Sequence, residues 1–259
     1  MYYLCGITEK GLPPHNEDAL MLHHSVTAEG ALRMAVRAPF LAAVCDGVSG
    51  EHAGELASQS CLEALSAVKY TRRTDLRRRI LTIHAQIAEQ SRRRADTANM
   101  QTTLCGIAVD ETDGLQCFNV GDSRVYLCRG GRLEQLSRDQ TLVQMLYEEG
   151  SITSEEKRVH SHKNLILPVM GNLTREPKPE IRRLDEGMQW GDLLLLCTDG
   201  LTDYVTPAEM ESILAKPLPL PERLSEMVSL SLAKGGRDNI TVAAVLRYPD
   251  DIDIPETLR

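Results

Sequence analysis

Twice in this chain an apolar run of strand length ends in an Asp-Gly pair. Leu41-Ala42-Ala43-Val44-Cys45 leads into Asp46-Gly47, and Leu193-Leu194-Leu195-Leu196-Cys197 reaches Asp199-Gly200 through Thr198. The second run is apolar at every position, so neither of its faces suits water, and it predicts a central strand covered on both sides. An Asp at the end of such a strand projects from a rigid element, and the glycine after it lets the backbone turn or approach a ligand closely. A single Asp-Gly is a common turn dipeptide; its repetition beyond buried strands is harder to explain as decoration. Two more acidic motifs, Asn16-Glu17-Asp18 and Arg237-Asp238-Asn239, adjoin other predicted strands. Together they offer carboxylates and backbone carbonyls without a Cys or His cluster, which is the donor set of hard cations such as Mg²⁺ and Mn²⁺.

Alternation of apolar and polar positions predicts strands at about 1–8, 19–24, 40–45, 103–110, 115–120, 124–129, 193–197 and 240–248. Apolar residues at helical spacing predict helices at 53–68, 76–94, 142–149, 207–214 and 221–233, with Thr206 capping the fourth ahead of Pro207. Strands, a helix pair, strands and more helices read as an α+β domain with antiparallel sheets. The segment 151–179 is polar, holds three prolines and two histidines, and lacks periodicity; it reads as a surface flap within a single domain spanning 1–259.

Composition excludes several classes. At 259 residues with 42% hydrophobic and 25% charged, the chain is long enough for a substantial core. Its apolar runs fall far short of the ~20 residues of a membrane-spanning helix. The first residues carry no signal-peptide pattern, so the cytoplasm is the expected compartment. A net charge of −8 argues against nucleic-acid binding, which depends on neutralising phosphates. Of seven cysteines, Cys45, Cys105, Cys117, Cys128 and Cys197 sit in apolar runs and read as reduced core residues. No Arg stands six positions after any cysteine, as a cysteine-based phosphatase requires. Gly-Lys-Ser/Thr, HExxH, CxxC and GxSxG are absent, and the histidines are scattered. Water activated by metal ions is better supported than a protein nucleophile.

Taken in order, these motifs resemble those of the metal-dependent protein Ser/Thr phosphatases of the 2C type, particularly the compact bacterial members. The matching stretches are Asn16-Glu17-Asp18-Ala19, Val44 to Gly50 with Ala53-Gly54-Glu55, Thr102-Thr103-Leu104, Asn119 to Tyr126, Leu193 to Leu201, and Gly235 to Val242. The resemblance implies a four-layer α/β/β/α sandwich with two central antiparallel sheets and a metal cluster at one edge. It implies Mn²⁺ or Mg²⁺, two ions with a third in some members. Asp46 would bridge two metals, the Gly47 carbonyl would touch the second, Asp199 and Asp238 would complete the first, and Glu17 and Asp18 would act through metal-bound waters. Asp122 and Asp199 match the third-metal residues, although Asp122 also fits a turn in which it merely holds amides and pairs with Arg124. The implied catalytic carboxylates are Asp46, Asp199 and Asp238. The implied reaction is hydrolysis of phosphoserine and phosphothreonine by a metal-bridging water in phosphorylated protein substrates, opposing a bacterial-type Ser/Thr kinase. A monomer is expected. The alternatives are a catalytically weak phosphoprotein-binding relative and, less in keeping with the charge, a two-metal nuclease.

Three departures stand out. Pro13 occupies the place of the family's phosphate-holding Arg, with Arg33 and Arg37 the first candidates to replace it. The usual Asp-His-Ser is Asp139-Gln140-Thr141, and Val48 and Ser49 stand where flexible glycines are usual. Arginine runs at 72–73, 77–79 and 92–94 flank the second helix and read first as a solvated face, with an acidic or phosphorylated partner as the alternative.

Overall fold

A computed structural model of the chain describes residues 1–48, 53–93, 95–162 and 165–249, the Arg158 side chain apart. Ser49 and Gly50 of the second motif, Arg94 and the last ten residues lie outside the described residues. In chain order the elements are β1 (Tyr2–Glu9), β2 (Ala19–Leu22), β3 (Ser25–Thr27), β4 (Gly30–Val36), β5 (Phe40–Cys45), α1 (Gly54–Ser66) and α2 (Leu76–Arg93). Then follow β6 (Leu104–Val109), β7 (Leu115–Val120), β8 (Arg124–Arg129), β9 (Arg132–Gln135), α3 (Leu142–Glu148), α4 (Ser154–Val159) and β10 (Glu180–Leu184). The chain closes with β11 (Leu193–Cys197), α5 (Asp199–Thr202), α6 (Pro207–Leu214), α7 (Leu220–Ala233) and β12 (Ile240–Arg247).

The strands form two six-stranded sheets, β4-β1-β12-β11-β8-β9 and β10-β7-β6-β5-β2-β3, and every strand pairing in them is antiparallel. The period of two along each strand divides its side chains between two cores. In β5, Phe40, Ala42 and Val44 face the other sheet, meeting Leu194, Leu196, Ala243 and Val245. The intervening Leu41, Ala43 and Cys45 pack under α1 and α2 against Cys61, Leu65, Ile80 and Ile87. Leu193, Leu195 and Cys197 of β11 are covered by Met210, Leu224 and Met227 of α6 and α7. The result is the expected α/β/β/α sandwich, and the wholly apolar runs are its middle strands because both of their faces are core.

All four strands missed in the sequence reading, β3, β4, β9 and β10, are the outer strands of the two sheets. An outer strand is half solvated and its polar side chains break the apolar alternation: β4 reads Gly-Ala-Leu-Arg-Met-Ala-Val with mixed exposure, and β9 reads Arg-Leu-Glu-Gln. The Thr206 cap is as expected, completed by Glu209 as a reciprocal capping box. All seven cysteines are free thiols, and six are buried. The 151–179 segment is less of an excursion than it reads. Its first part carries α4, but Val169 and Met170 return to the α1–α2 core, where Met170 and Thr102 exchange backbone hydrogen bonds.

Candidate metal-dependent active site

Antiparallel register brings five distant acidic segments to one edge of the sandwich. Ala19 at the start of β2 faces Cys45 at the end of β5, and Leu104 faces Val120 at the end of β7. In the other sheet Cys197, the last residue of β11, is flanked by Val242 and by Arg124, and Glu9 ends β1 opposite Ile240. Asp18, Asp46, Asp122, Asp199 and Asp238 each lie within one or two residues of one of those strand ends on this edge. Glu17 joins them through its backbone, with its N–H bonded to Asn239 Oδ1 at 2.7 Å and its carbonyl accepting from Gly47 at 3.1 Å.

The two Asp-Gly glycines are required by close packing. A Cβ on Gly47 would stand 2.5 Å from the Gly54 carbonyl group and 2.8 Å from the Glu17 oxygen. One on Gly200 would stand 1.9 Å from the Asn239 oxygen. Each glycine thus lets a neighbouring acidic segment lie against its own Asp-bearing turn, which unites the motifs.

Hydroxyl and amide side chains fix the carboxylates. Thr198 Oγ1 donates to Asp18 Oδ2 at 2.8 Å and accepts from the Thr241 amide at 3.0 Å. Thr103 Oγ1 accepts from the Asp46 amide at 3.0 Å and lies 2.8 Å from Ser123 Oγ, while Thr102 Oγ1 donates to the Asp46 carbonyl at 2.9 Å. Asn239 donates to the carbonyls of Lys10 and His15, closing the 10–17 loop over this edge. Those positions lie within the motifs, yet their roles were not legible in sequence; the one available signal was the hydroxyl residue adjoining Asp122 and Asp199, Ser123 and Thr198.

Burial and mutual repulsion raise every one of these carboxyl pKa values from the ordinary 3.8, with burial the larger effect. Asp199 is pushed up to about 6, with Asp238 and Asp203 repelling it. Asp18 and Asp122 are pushed to about 8, and Asp46 and Asp238 are raised as well. Asp199 is the strongest of the charges that repel Asp46, and two ionised carboxylates so close tolerate one another only by sharing a proton or a cation. Buried oxygens of Asp18, Asp122 and Asp199 have no hydrogen-bond partner among the described residues. This all-oxygen set, partly unsatisfied and overcharged, fits hard divalent cations. Among the described residues no group of three Asp, Glu, His or Cys side chains stands so as to hold one metal ion. A Mg²⁺-type site, which takes one or two carboxylates per ion and water for the rest, does not need such a group.

A stability prediction follows. A raised carboxyl pKa means the folded chain binds the proton more tightly than the unfolded one. The contribution is therefore full below about pH 4 and lost as pH rises through about 6 and about 8. Chelator-treated protein should lose melting temperature steadily from pH 4 to 8, and Mn²⁺ should flatten that slope. Parallel pH profiles with and without Mn²⁺ would contradict it.

A cleft of about 590 Å³ opens beside the cluster, lined by Asp122 and Asp199, by Arg124, Asp139 and Thr141, and by Lys157 of α4. Arg124 acts on Asp122 through its charge alone, its hydrogen bonds going elsewhere. Its guanidinium is held by Asp139 through two hydrogen bonds of 2.9 and 2.8 Å. Asp139 is nearly buried and receives a third from Gln135, which explains why an Asp is kept there although its neighbours differ from the family pattern. Gln140 accepts from the Gly121 amide, and Thr141 caps α3. Lys157 Nζ lies 3.8 Å from Asp139 and bonds Gln144, pinning α4 to the cleft wall.

Neither suggested substitute for the lost Arg reaches this edge. Arg37 follows β4 at the far end of the sheet and contacts Met1. Arg33 pairs with Cys5 and lines a groove beside Pro221 and Leu224 of α7. Both described cations that line the cleft face Asp139, Arg124 through two short hydrogen bonds and Lys157 at 3.8 Å.

A sandwich that gathers carboxylates from five segments beside an open cleft defines a class, the metal-dependent hydrolases. The chain belongs to the protein phosphatase 2C family, whose profile matches residues 15–234, and it is a metal-dependent Ser/Thr protein phosphatase acting on phosphorylated proteins. It is 35% identical over 234 residues to the serine/threonine phosphatase stp of Listeria welshimeri, covering 87% of this chain and 91% of that one. The crystal structure of the Mycobacterium tuberculosis serine/threonine phosphatase PstP/Ppp superposes with a TM-score of 0.79 at 30% identity, covering 96% of this chain and 100% of that one. A structure of the PstP catalytic domain in complex with two manganese ions matches with a TM-score of 0.77 at 30% identity over the same shares. Membership implies dependence on Mn²⁺ or Mg²⁺. No helix among the described residues is long and apolar enough to cross a membrane.

Proposed function

We propose that Asp46, Asp199 and Asp238, with the Gly47 carbonyl, hold two divalent cations, that Glu17 and Asp18 act on them through water, and that Asp122 with Asp199 holds a third. The observation that carries this reading is the convergence of raised, partly unsatisfied carboxylates on one sheet edge. Bound there, the cations supply an activated water and neutralise charge on the phosphoryl group. Thr198 orients Asp18, Thr102 and Thr103 hold the Asp46 backbone, and the Asp139–Arg124 pair stiffens the cleft wall. Lys157 takes over the phosphate contact that Pro13 cannot make. It lines the same cleft as Asp122 and Asp199 and, with α4, belongs to the 151–179 flap of a single catalytic domain. The protein acts as a cytoplasmic monomer on targets of a bacterial-type Ser/Thr kinase.

The test is turnover of an aryl phosphate and a phosphothreonine peptide after chelation. Activity should vanish and return with Mn²⁺ or Mg²⁺, whereas metal-independent turnover would refute the assignment. Lys157→Ala should raise KM for the aryl phosphate roughly tenfold, the low end for a charge-assisted hydrogen bond. An unchanged KM would remove Lys157 from phosphate binding.

A further inference from the structure

The strongest concentration of charge outside the active site is positive, in a chain whose net charge is −8. Between residues 69 and 79 stand Lys69, Arg72, Arg73, Arg77, Arg78 and Arg79 against one acid, Asp75, and all six cations are exposed. No ion pair involves these six among the described residues. The nearby carboxylates accept from backbone amides, Asp75 from Arg78 at 3.0 Å, Glu111 from Arg72 at 2.9 Å, and Asp110, which Arg72 also attracts, from Thr112 and Gly114. Three of the arginines occupy the first turn of α2, which has no acidic residue, so they repel one another and the positive end of the helix dipole. The scaffold beneath them is fixed. Tyr70 is buried, Thr71 and Thr74 bond reciprocally, and Leu76 and Ile80 lock the turn into the core.

We propose that this patch is a docking exosite for acidic segments of phosphoprotein substrates, away from the carboxylate cluster. The inference rests on the phosphatase reading for its substrate. Tyr70 shares a cavity wall with Phe40 and Leu41, at the end of β5 opposite Asp46. The patch therefore lies about one strand of six residues, roughly 20 Å, from the cluster. An acidic block reaches it only when separated from the phosphorylated residue by more than about six residues. The patch suits a peptide better than the other polyanions. None of the exposed large apolar side chains lies in 69–79 or on α2, so nothing there inserts into a lipid surface, and no exposed aromatic offers nucleic-acid bases a stacking platform. Remote docking also adds affinity to that of the phosphate contact.

The experiment compares three kinds of phosphothreonine peptide on the Mn²⁺-loaded enzyme. One carries a five-glutamate block ten residues away, placed on either side in separate peptides; the second carries it two residues away; the third has none. At low salt the distant block should raise kcat/KM about tenfold over the other two through KM, and 0.5 M salt should erase the gain. Arg77→Gln, Arg78→Gln and Arg79→Gln combined should abolish the gain while leaving aryl phosphate kinetics unchanged and melting temperature equal or higher. Equal kcat/KM for all three kinds overturns the proposal, as does a loss shared with the aryl phosphate. A triple variant that loses phosphatidylserine-vesicle or duplex-DNA binding but treats the peptides as wild type assigns the patch to that polyanion and overturns it too. Fluorescence anisotropy of the labelled peptides reads docking without turnover, so failure of the exosite is distinguishable from failure of catalysis.

Discussion

Asp46→Asn, Asp199→Asn and Asp238→Asn should each lower turnover of a phosphothreonine peptide by more than about a hundredfold, because even residues that only support metal ligands are worth roughly 10–100-fold. The accompanying stability change runs the other way. In chelator these carboxyls are desolvated and repel one another, so exchanging one for a neutral amide should raise the melting temperature of the metal-free chain. Mn²⁺ should stabilise the wild type, as any ligand selective for the folded state does, and stabilise the variants much less. A variant that were simply misfolded would melt lower in both conditions. Near wild-type rates for Asp238→Asn at low Mn²⁺ would sink the assignment of that residue.

Gly200→Ala should be the most damaging single methyl group near the site. Its Cβ would fall 1.9 Å from the Asn239 oxygen and 3.4 Å from the Asp238 Cβ. No side chain can swing away to relieve the clash, since the obstacle is backbone. The 238–239 turn must move, and with it Asp238 and the Asn239 amide that ties down Lys10 and His15. Overpacking of this kind typically costs about 1–3 kcal/mol, and the displaced Asp238 should weaken Mn²⁺ binding as well as slow turnover. Isothermal titration with Mn²⁺ and thermal melting would check both. Unaltered Mn²⁺ affinity would mean that the turn accommodates the methyl without moving its carboxylate.

Much of the candidate site was legible in the one-dimensional pattern. A strand-end Asp is marked by the apolar run before it and the Gly after it, as at Asp46 and Asp199, and the acids before β2 and β12 by the strands they precede; these four motifs pointed to carboxylates that the fold brings to one edge. Helices α1, α2, α6 and α7 were legible because they bury one continuous stripe, as Leu76, Ile80, Ile83 and Ile87 do. Arg124 was not legible. Two positions from Asp122 in sequence, it turns instead to Asp139, fifteen residues away, because β8 and the segment after β9 lie side by side. Nor could the sequence show that Val169 and Met170 leave a polar segment to fill the α1–α2 core.

By itself the sequence determined what each residue can tolerate around it: wholly apolar runs must be covered on both faces, so β5 and β11 had to be central, and the Asp residues that follow them had to stand at strand ends. The tertiary structure alone decided which ends meet. Strand pairing is a contact between segments distant in the chain, and β3, β4, β9 and β10 carry little hydrophobic signal because their outer edges face water. Only the antiparallel register placed Asp18, Asp46, Asp122, Asp199 and Asp238 on one edge, where burial and mutual repulsion raise the pKa of all five acids together.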